Sequence, residues 1–277
     1  MTALGGAARE PLRRLRLRYR ELTAGARGLP AALIVGAQKG GTTSLFTYLV
    51  QHPGVLPPLS KEIHFFELNY AHGASWYRAR FPYARRLRGA ITLDASPYYL
   101  AHPLVPERAA RLLPDARIIV LLRNPVDRAF SHYQHEVRGG REPLSFAEAV
   151  EQEPARLAGE EERLRADPAY YSYNHHRYSY LLRGRYIDQL RRWLEYFPRD
   201  RMLLLQSERL FQDPAGTTAA VHRFLGLAPC RLARYDPVYP GRYTDGIPGE
   251  LRGRLARHFE PYNRALYQWL GEEYDWA

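Results

Sequence analysis

The stretch Ala31-Ala-Leu-Ile-Val-Gly-Ala-Gln-Lys-Gly-Gly-Thr-Thr-Ser-Leu-Phe46 constrains the fold of this chain more than any other. Its apolar run, Ala31 to Val35, predicts a short buried strand. A glycine-rich turn follows, and the residues from Thr42 onward predict a helix. Strand, glycine loop and helix start together aim backbone N–H groups and the positive end of a helix dipole at one point, where an anion can sit. Against the nucleoside-triphosphate loop G-x-x-x-x-G-K-[ST], Gly36 and Gly41 take the glycine positions, but the lysine position holds Thr42. The lysine stands three residues earlier, at Lys39, so its charge is presented from within the loop. A tight turn without a ligand is the bland alternative. The coincidence of strand, loop, lysine and the Thr43 and Ser44 hydroxyls argues against it.

Composition gives Lys39 further weight. Of 40 Lys+Arg residues only Lys39 and Lys61 are lysines, which leaves 38 arginines, and both lysines fall in suggestive loops. A compact ammonium and a wide planar guanidinium are not interchangeable against a reacting oxygen. The formal net charge of +11 in 277 residues points to anionic ligands or substrates. The arginines are spread along the chain, with neither a zinc-finger spacing nor an RNA-binding aromatic signature, so nucleic acid is not the expected partner. Cys230 is the single cysteine, which excludes an internal disulfide and a cysteine metal site, and a reducing cytoplasm is the expected setting. No apolar run approaches the roughly 18 residues of a membrane span.

Taken in order, residues 1–29 form a basic arm rich in arginine, with Leu12, Leu15, Leu17 and Leu22 in a partial helical stripe. A solvated arm or a helix packed on the domain is the plainer reading. Peripheral contact with an anionic membrane surface is the alternative. Residues 30–277 make one α/β domain. In Lys61-Glu-Ile-His-Phe-Phe66, extended backbone would put Glu62 and His64 on one face and Ile63 and Phe65 on the other. On spacing alone an ordinary edge strand fits equally. Ile91 to Asp94 and Met202 to Leu205 are candidate strands, and Arg117 to Leu122 is the clearest one. Arg123 ends that strand, Asn124 caps the next helix, Pro125 opens it, and Ser131 lies two turns on. Arg123 and Ser131 could grip one phosphate, unless the arginine pairs with Asp127 or Glu136. Residues 145–165 are predicted as a solvated, Glu-rich helix. The tyrosine-rich segment Tyr170 to Tyr180 fits a packed aromatic cluster or a sugar-binding face. Gly184 to Phe197, Pro214 to Leu225, Glu250 to His258 and Tyr262 to Leu270 are predicted helices. Strands alternating with helices predict a parallel central sheet flanked by helices, with ligands at the carboxyl ends of the strands.

These residues resemble the sulfotransferase family that uses 3'-phosphoadenosine 5'-phosphosulfate (PAPS), especially its glycosaminoglycan-type branch and soluble bacterial relatives. The resemblance runs from about Leu33 to the end of the chain. It implies a P-loop-like sulfotransferase fold and transfer of a sulfuryl group from PAPS, with no metal required. The acceptor it implies is a hydroxyl of a saccharide or natural product, an amine less so. Gln38-Lys-Gly-Gly-Thr-Thr43, with Gly40, Gly41, Thr42 and the adjoining Ser44, resembles the 5'-phosphosulfate loop. Arg123-Asn-Pro-Val-Asp-Arg-Ala-Phe-Ser131 resembles the 3'-phosphate element, and Gly241-Arg242 a late cofactor loop in which Pro240 replaces a lysine. Glu62 matches the base of the heparan 3-O-type enzymes, with His64 beside it. Asp94 and Ser96 join Glu62 and His64 on the acceptor side, and Ala95 stands where heparan-modifying members carry lysine. Heparan itself is therefore not the expected acceptor.

The chemistry of the residues runs parallel. Sulfuryl transfer needs an in-line hydroxyl, a place for its proton and neutralisation of the leaving oxygen. Lys39 suits the last, Glu62 or His64 the proton. A nucleotide-dependent kinase or ATPase is the rival. It needs a lysine where Thr42 stands and a magnesium aspartate ending a strand, a place that Asp94 leaves open. A pure anion-binding module would not need Glu62.

Overall fold

The computed structural model describes residues 9–236, 238 and 246–276. Four strands form one sheet, β1 (Ala32–Gly36), β2 (Leu93–Ala95), β3 (Arg117–Leu122) and β4 (Met202–Gln206). Their spatial order is β2-β1-β3-β4 and every pairing is parallel. Each strand lies within two residues of its expected place. Parallel strands are buried on both faces, which is why they read as continuous apolar runs. Leu33, Val35, Ile118, Val120 and Leu122 face one core with Phe65, Tyr77 and Trp193. Ala32, Ile34, Ile119 and Leu121 face the other with Leu45, Leu49 and Val221.

Thirteen α-helices of the described residues surround the sheet. The first, α1 (Arg9–Leu22), is tied to the domain by Arg20, which donates to the carbonyl oxygens of Ala79 (2.6 Å) and Phe81 (2.8 Å). Its outward residues Leu15, Tyr19 and Leu22 are exposed. Then come α2 (Thr42–Leu49), α3 (Phe65–Leu68), α4 (Gly73–Arg78), α5 (Val105–Leu112), α6 (Pro125–Arg138) and α7 (Phe146–Leu157). The remainder are α8 (Glu160–Ala166), α9 (Tyr173–Arg177), α10 (Tyr186–Leu194), α11 (Ser207–Gln212), α12 (Pro214–Leu225) and α13 (Gly249–Leu270). As expected, Asn124 caps α6: its Oδ1 accepts from the N–H groups of Val126 (3.0 Å) and Asp127 (3.3 Å). Among the described residues no helix is long and apolar enough to cross a membrane.

Three expectations differ from the structure. The Lys61 to Phe66 segment is not a strand: His64 takes a left-handed conformation (φ 54°) and α3 begins at Phe65. Residues 145–165 are two helices, separated at Gly159 (φ 73°), and they are not simply solvated. Glu153 is buried and accepts from the N–H groups of Leu181 (2.6 Å) and Leu182 (2.8 Å), contacts too distant in sequence for periodicity to reveal. The two last helices are one, α13, with Pro261 inside it.

A third core joins α6, α7 and α13 through Val126, Phe130, Phe146, Val150, Leu255 and Phe259. Gly184 is what lets α13 approach the start of α6, since a Cβ there would lie 2.5 Å from the Phe259 ring and 3.1 Å from Pro125. Gly184→Ala is expected to destabilise the fold by about 1–3 kcal/mol through overpacking. A urea titration of both proteins measures this, and an unchanged midpoint would contradict the packing described.

Candidate active site

The loop after β1 turns sharply because two of its residues have positive φ, Lys39 (70°) and Gly41 (91°). Gly41 suits that conformation. Lys39 is a non-glycine held there, and such residues concentrate at functional sites. The Ala37 N–H donates to the Leu121 carbonyl oxygen (2.7 Å) and the Gly40 N–H to that of Ala37 (2.9 Å), so the loop is pinned to the end of β3. A Cβ on Gly40 would lie 2.9 Å from the Leu121 oxygen and 3.0 Å from that of Ala37, both main-chain atoms that cannot give way. No side chain caps the start of α2, which leaves its first N–H groups to a ligand or solvent.

The predicted loop residues divide by what they touch. Thr43 Oγ1 accepts from Lys61 Nζ (3.1 Å), which brings the two lysine loops together. Ser44 Oγ accepts from the Val238 N–H (3.0 Å) and Thr42 is buried. Gln38 Oε1 is held by the guanidinium of Arg183. Gly241 and Arg242 lie outside the described residues. The stretch leading to them runs antiparallel to α2, by contacts from His52 to the Ala228 oxygen (2.9 Å) and from Tyr48 to that of Tyr235 (2.9 Å), ending at Ser44.

Arg123 reaches the same loop, donating from Nη1 to the Lys39 carbonyl oxygen (3.2 Å). It pairs with neither of the carboxylates considered for it: Asp127 is taken by Arg252 (2.6 Å) and Glu136 by Arg141 (2.5 Å). Ser131 is buried on α6. Burial lowers the Lys39 ammonium below its ordinary range, and the charges of Arg138 and Arg123 add to this. Burial lowers His135, and the Lys39 charge adds to this. Arg138, two turns beyond Ser131, therefore adds its charge to the surroundings of the loop, with the imidazole of His135 one turn beyond Ser131 beside it. Sequence reasoning missed both, although the spacing from Ser131 offered the signal. It also missed Arg183, whose Nε donates to Ser179 Oγ (2.8 Å) and Nη2 to the oxygens of His175 (3.1 Å) and His176 (2.7 Å). Burial lowers this arginine to about 10.

Beside the cationic loop stands a chain of carboxylates and an imidazole. Lys61 Nζ lies 3.2 Å from Glu62 Oε1, Glu62 Oε2 lies 3.0 Å from His64 Nε2, and His64 Nδ1 lies 2.5 Å from Glu67 Oε1. The Glu67 side chain is fully buried, while those of Glu62 and His64 are partly open. Burial alone would raise Glu62, but the His64 hydrogen bond and the Lys61 charge outweigh it and hold the carboxyl below its ordinary range. Burial works against the charged imidazole of His64 too, yet its two carboxylate partners raise it to about 10. Burial raises Glu67 to about 7 against the pull of His64. Glu62 and His64 thus meet as expected, though a left-handed turn and not strand alternation brings them together.

Asp94 and Ser96, expected on the acceptor side, are fully buried behind this chain. Asp94 accepts from the hydroxyls of Tyr99 (2.7 Å), Tyr77 (2.8 Å) and Ser96 (3.1 Å), and Ser96 Oγ accepts from the His64 N–H (3.1 Å). Through these bonds they hold the backbone of His64 from within the core. Among the described residues no group of three His, Cys, Asp or Glu side chains is placed to hold a metal.

The sulfotransferase domain family matches residues 29–235, three quarters of the chain and both anion elements. The chain belongs to the sulfotransferase family. It is 34% identical over 276 residues to heparan sulfate glucosamine 3-O-sulfotransferase 6 of Homo sapiens, a match covering 91% of this chain and 75% of that one. It is also 34% identical over 246 residues to the bifunctional heparan sulfate N-deacetylase/N-sulfotransferase 2 of Homo sapiens, covering 83% of this chain and 26% of that one. The crystal structure of a sulfotransferase from Alicyclobacillus acidocaldarius superposes with a TM-score of 0.71 at 31% identity, covering 90% of this chain and 99% of that one. This sulfotransferase therefore has the family's parallel sheet and P-loop-like fold.

The raised His64 carries a pH signature. A group whose pKa rises on folding adds stability that is complete below its unfolded value, ordinarily 6.5, and is lost as pH climbs through its folded value of about 10. His64→Asn removes the charge and tolerates the positive φ of that position. Wild type is expected to be the more stable at about pH 7.5, above the Glu67 transition, and to lose that advantage by about pH 10. Thermal melts of both proteins across this range measure it. An advantage that grows with pH would contradict the assigned charge.

Proposed function

We propose that this sulfotransferase moves the sulfuryl group of PAPS to a hydroxyl of a saccharide acceptor and releases adenosine 3',5'-bisphosphate. The observation that carries the reading is the Glu62–His64 pair set against the Lys39 loop through Lys61 and Thr43. One side is built for an anion, the other for a proton. In the reaction the acceptor oxygen bonds to sulfur, the bond from sulfur to the bridging phosphate oxygen breaks, and the hydroxyl proton passes to Glu62. Lys61 and His64 keep Glu62 ionised and so able to receive it. Their cost is weak basicity, which suits a proton that leaves late, once bonding to sulfur has made the hydroxyl acidic.

The residues present fit the donor. The Gly40 position admits no Cβ, the start of α2 is uncapped, and Lys39 is a partly desolvated ammonium whose charge gains most from an anion close by. Arg123 with Ser131 offers a second grip for the 3'-phosphate. A saccharide acceptor accords with the names of the heparan sulfate relatives, and an acidic one with the net charge of +11. Ala95 in place of a lysine keeps the identity of that saccharide open to assay. Nothing supports the kinase reading: Thr42 stands in the lysine position, and the buried Asp94 already accepts from three hydroxyl donors.

Adenosine 3',5'-bisphosphate should bind without metal and more tightly than 5'-AMP or ATP–magnesium in calorimetry, with Arg123→Ala removing most of the preference over 5'-AMP. Equal affinity for the bisphosphate and 5'-AMP would sink the donor assignment. Glu62→Gln keeps the shape and loses the proton acceptor, so PAPS-dependent sulfation should fall about 10²–10⁴-fold with bisphosphate binding nearly unchanged. Full activity in that variant would move the role to His64. Lys39→Arg tests whether the loop needs a point charge. Its nucleotide affinity is expected to stay within about tenfold while most of the turnover is lost, because a wider cation in a tight loop serves the ground state better than the transition state. Wild-type turnover would make Lys39 a generic anion contact.

A further inference from the structure

Arg123 is held by its backbone, and the holding groups come from three distant parts of the chain. The Tyr186 hydroxyl donates to the Arg123 carbonyl oxygen (2.8 Å). The next N–H, that of Asn124, donates to Glu208 Oε1 (2.9 Å) on α11. Asn124 Nδ2 donates to the Trp276 carbonyl oxygen (3.2 Å), and the Trp276 indole N–H returns to Glu208 Oε2 (3.4 Å). Trp276 is itself fixed among aromatic rings, with centroids 5.0 Å from Tyr274, 5.8 Å from Tyr186 and 5.9 Å from Tyr267.

Glu208 is the feature that needs an explanation. A carboxylate bonded to the residue beside a phosphate-gripping arginine is the wrong charge in the wrong place, since a free oxygen on it would compete for the guanidinium. Here each oxygen is occupied, one by a main-chain N–H and one by the indole of Trp276. The guanidinium of Arg123 donates to the Lys39 loop.

We infer that Glu208 and Trp276 are positioning residues for the donor's 3'-phosphate: they fix the backbone of Arg123, and the indole keeps the Glu208 charge from capturing its side chain. This rests on the PAPS reading above. The readout is the ratio of affinities for adenosine 3',5'-bisphosphate and 5'-AMP, measured calorimetrically on the full chain, with thermal melts alongside. Trp276→Phe keeps a ring and removes the donor, so the ratio is expected to fall about tenfold. Adding Glu208→Gln, which still accepts from the Asn124 N–H but has no charge, is expected to restore the ratio. A merely structural tryptophan would lower the melting temperature, weaken both nucleotides alike and gain nothing from the second substitution. Arg123→Ala separates the two layers of the argument. If wild type shows no preference, or Arg123→Ala retains it, the donor reading falls and this inference with it. If Arg123→Ala abolishes the preference while Trp276→Phe leaves it at the wild-type ratio, or Glu208→Gln fails to restore it, the positioning role is overturned.

Discussion

The parallel pairing of β1 with β3 is the constraint on which the site depends. Its regular register, Ile34 opposite Ile119, shifts before Gly36, which stands opposite Val120, so the chain leaves β1 while β3 still continues beside it. The loop is then caught by the end of β3, first through the Ala37 N–H on the Leu121 oxygen and then through Arg123 on the Lys39 oxygen. The two proposed anion-binding elements, joined by a bond across 84 residues, thus form one surface. Parallel strands end on the same edge of a sheet, so this convergence needs no special device beyond adjacency. What the sequence adds locally is small residues: glycine where Leu121 and Ala37 oxygens close in, and asparagine with proline where α6 must start at once.

The electrostatics of the crevice are asymmetric, and the asymmetry sorts the chemistry. On the proposed donor side burial pushes the Lys39 ammonium down and the charges of Arg138 and Arg123 add to this, while burial and the Lys39 charge push down the His135 imidazole. Cations placed so are costly without an anion and relieved by one, so part of the binding energy of a nucleotide with two anionic groups is prepared before it arrives. On the proposed acceptor side the charges are already compensated, Lys61 and His64 against Glu62, and His64 again against Glu67. That side gains nothing from a further ion and is suited to moving a proton. The buried Asp94, with its three hydroxyl donors, adds no free charge to either. It serves as a rigid floor under the His64 backbone through Ser96.

How far the site could be read from the sequence follows from how far each contact reaches along the chain. The anion loop and the start of α6 were legible because strand, turn chemistry and cap lie within a dozen residues of one another, and such local signals agree with the fold. The pairing of Glu62 with His64 was legible for the wrong backbone. Period-2 alternation and a left-handed residue at position 64 both bring side chains two apart together, and only the second lets Glu67 close on His64 from behind. Nothing local marked Arg183, which meets Gln38 across 145 residues, or Trp276, which meets Asn124 across 152. These partners supply no atom to the proposed reaction and have no motif of their own. They are selected by the shape of the finished fold, since a buried guanidinium or indole must find a partner wherever the packing places one. The chemistry of this sulfotransferase is therefore written in short segments, while the rigidity that aims it is distributed over the whole chain.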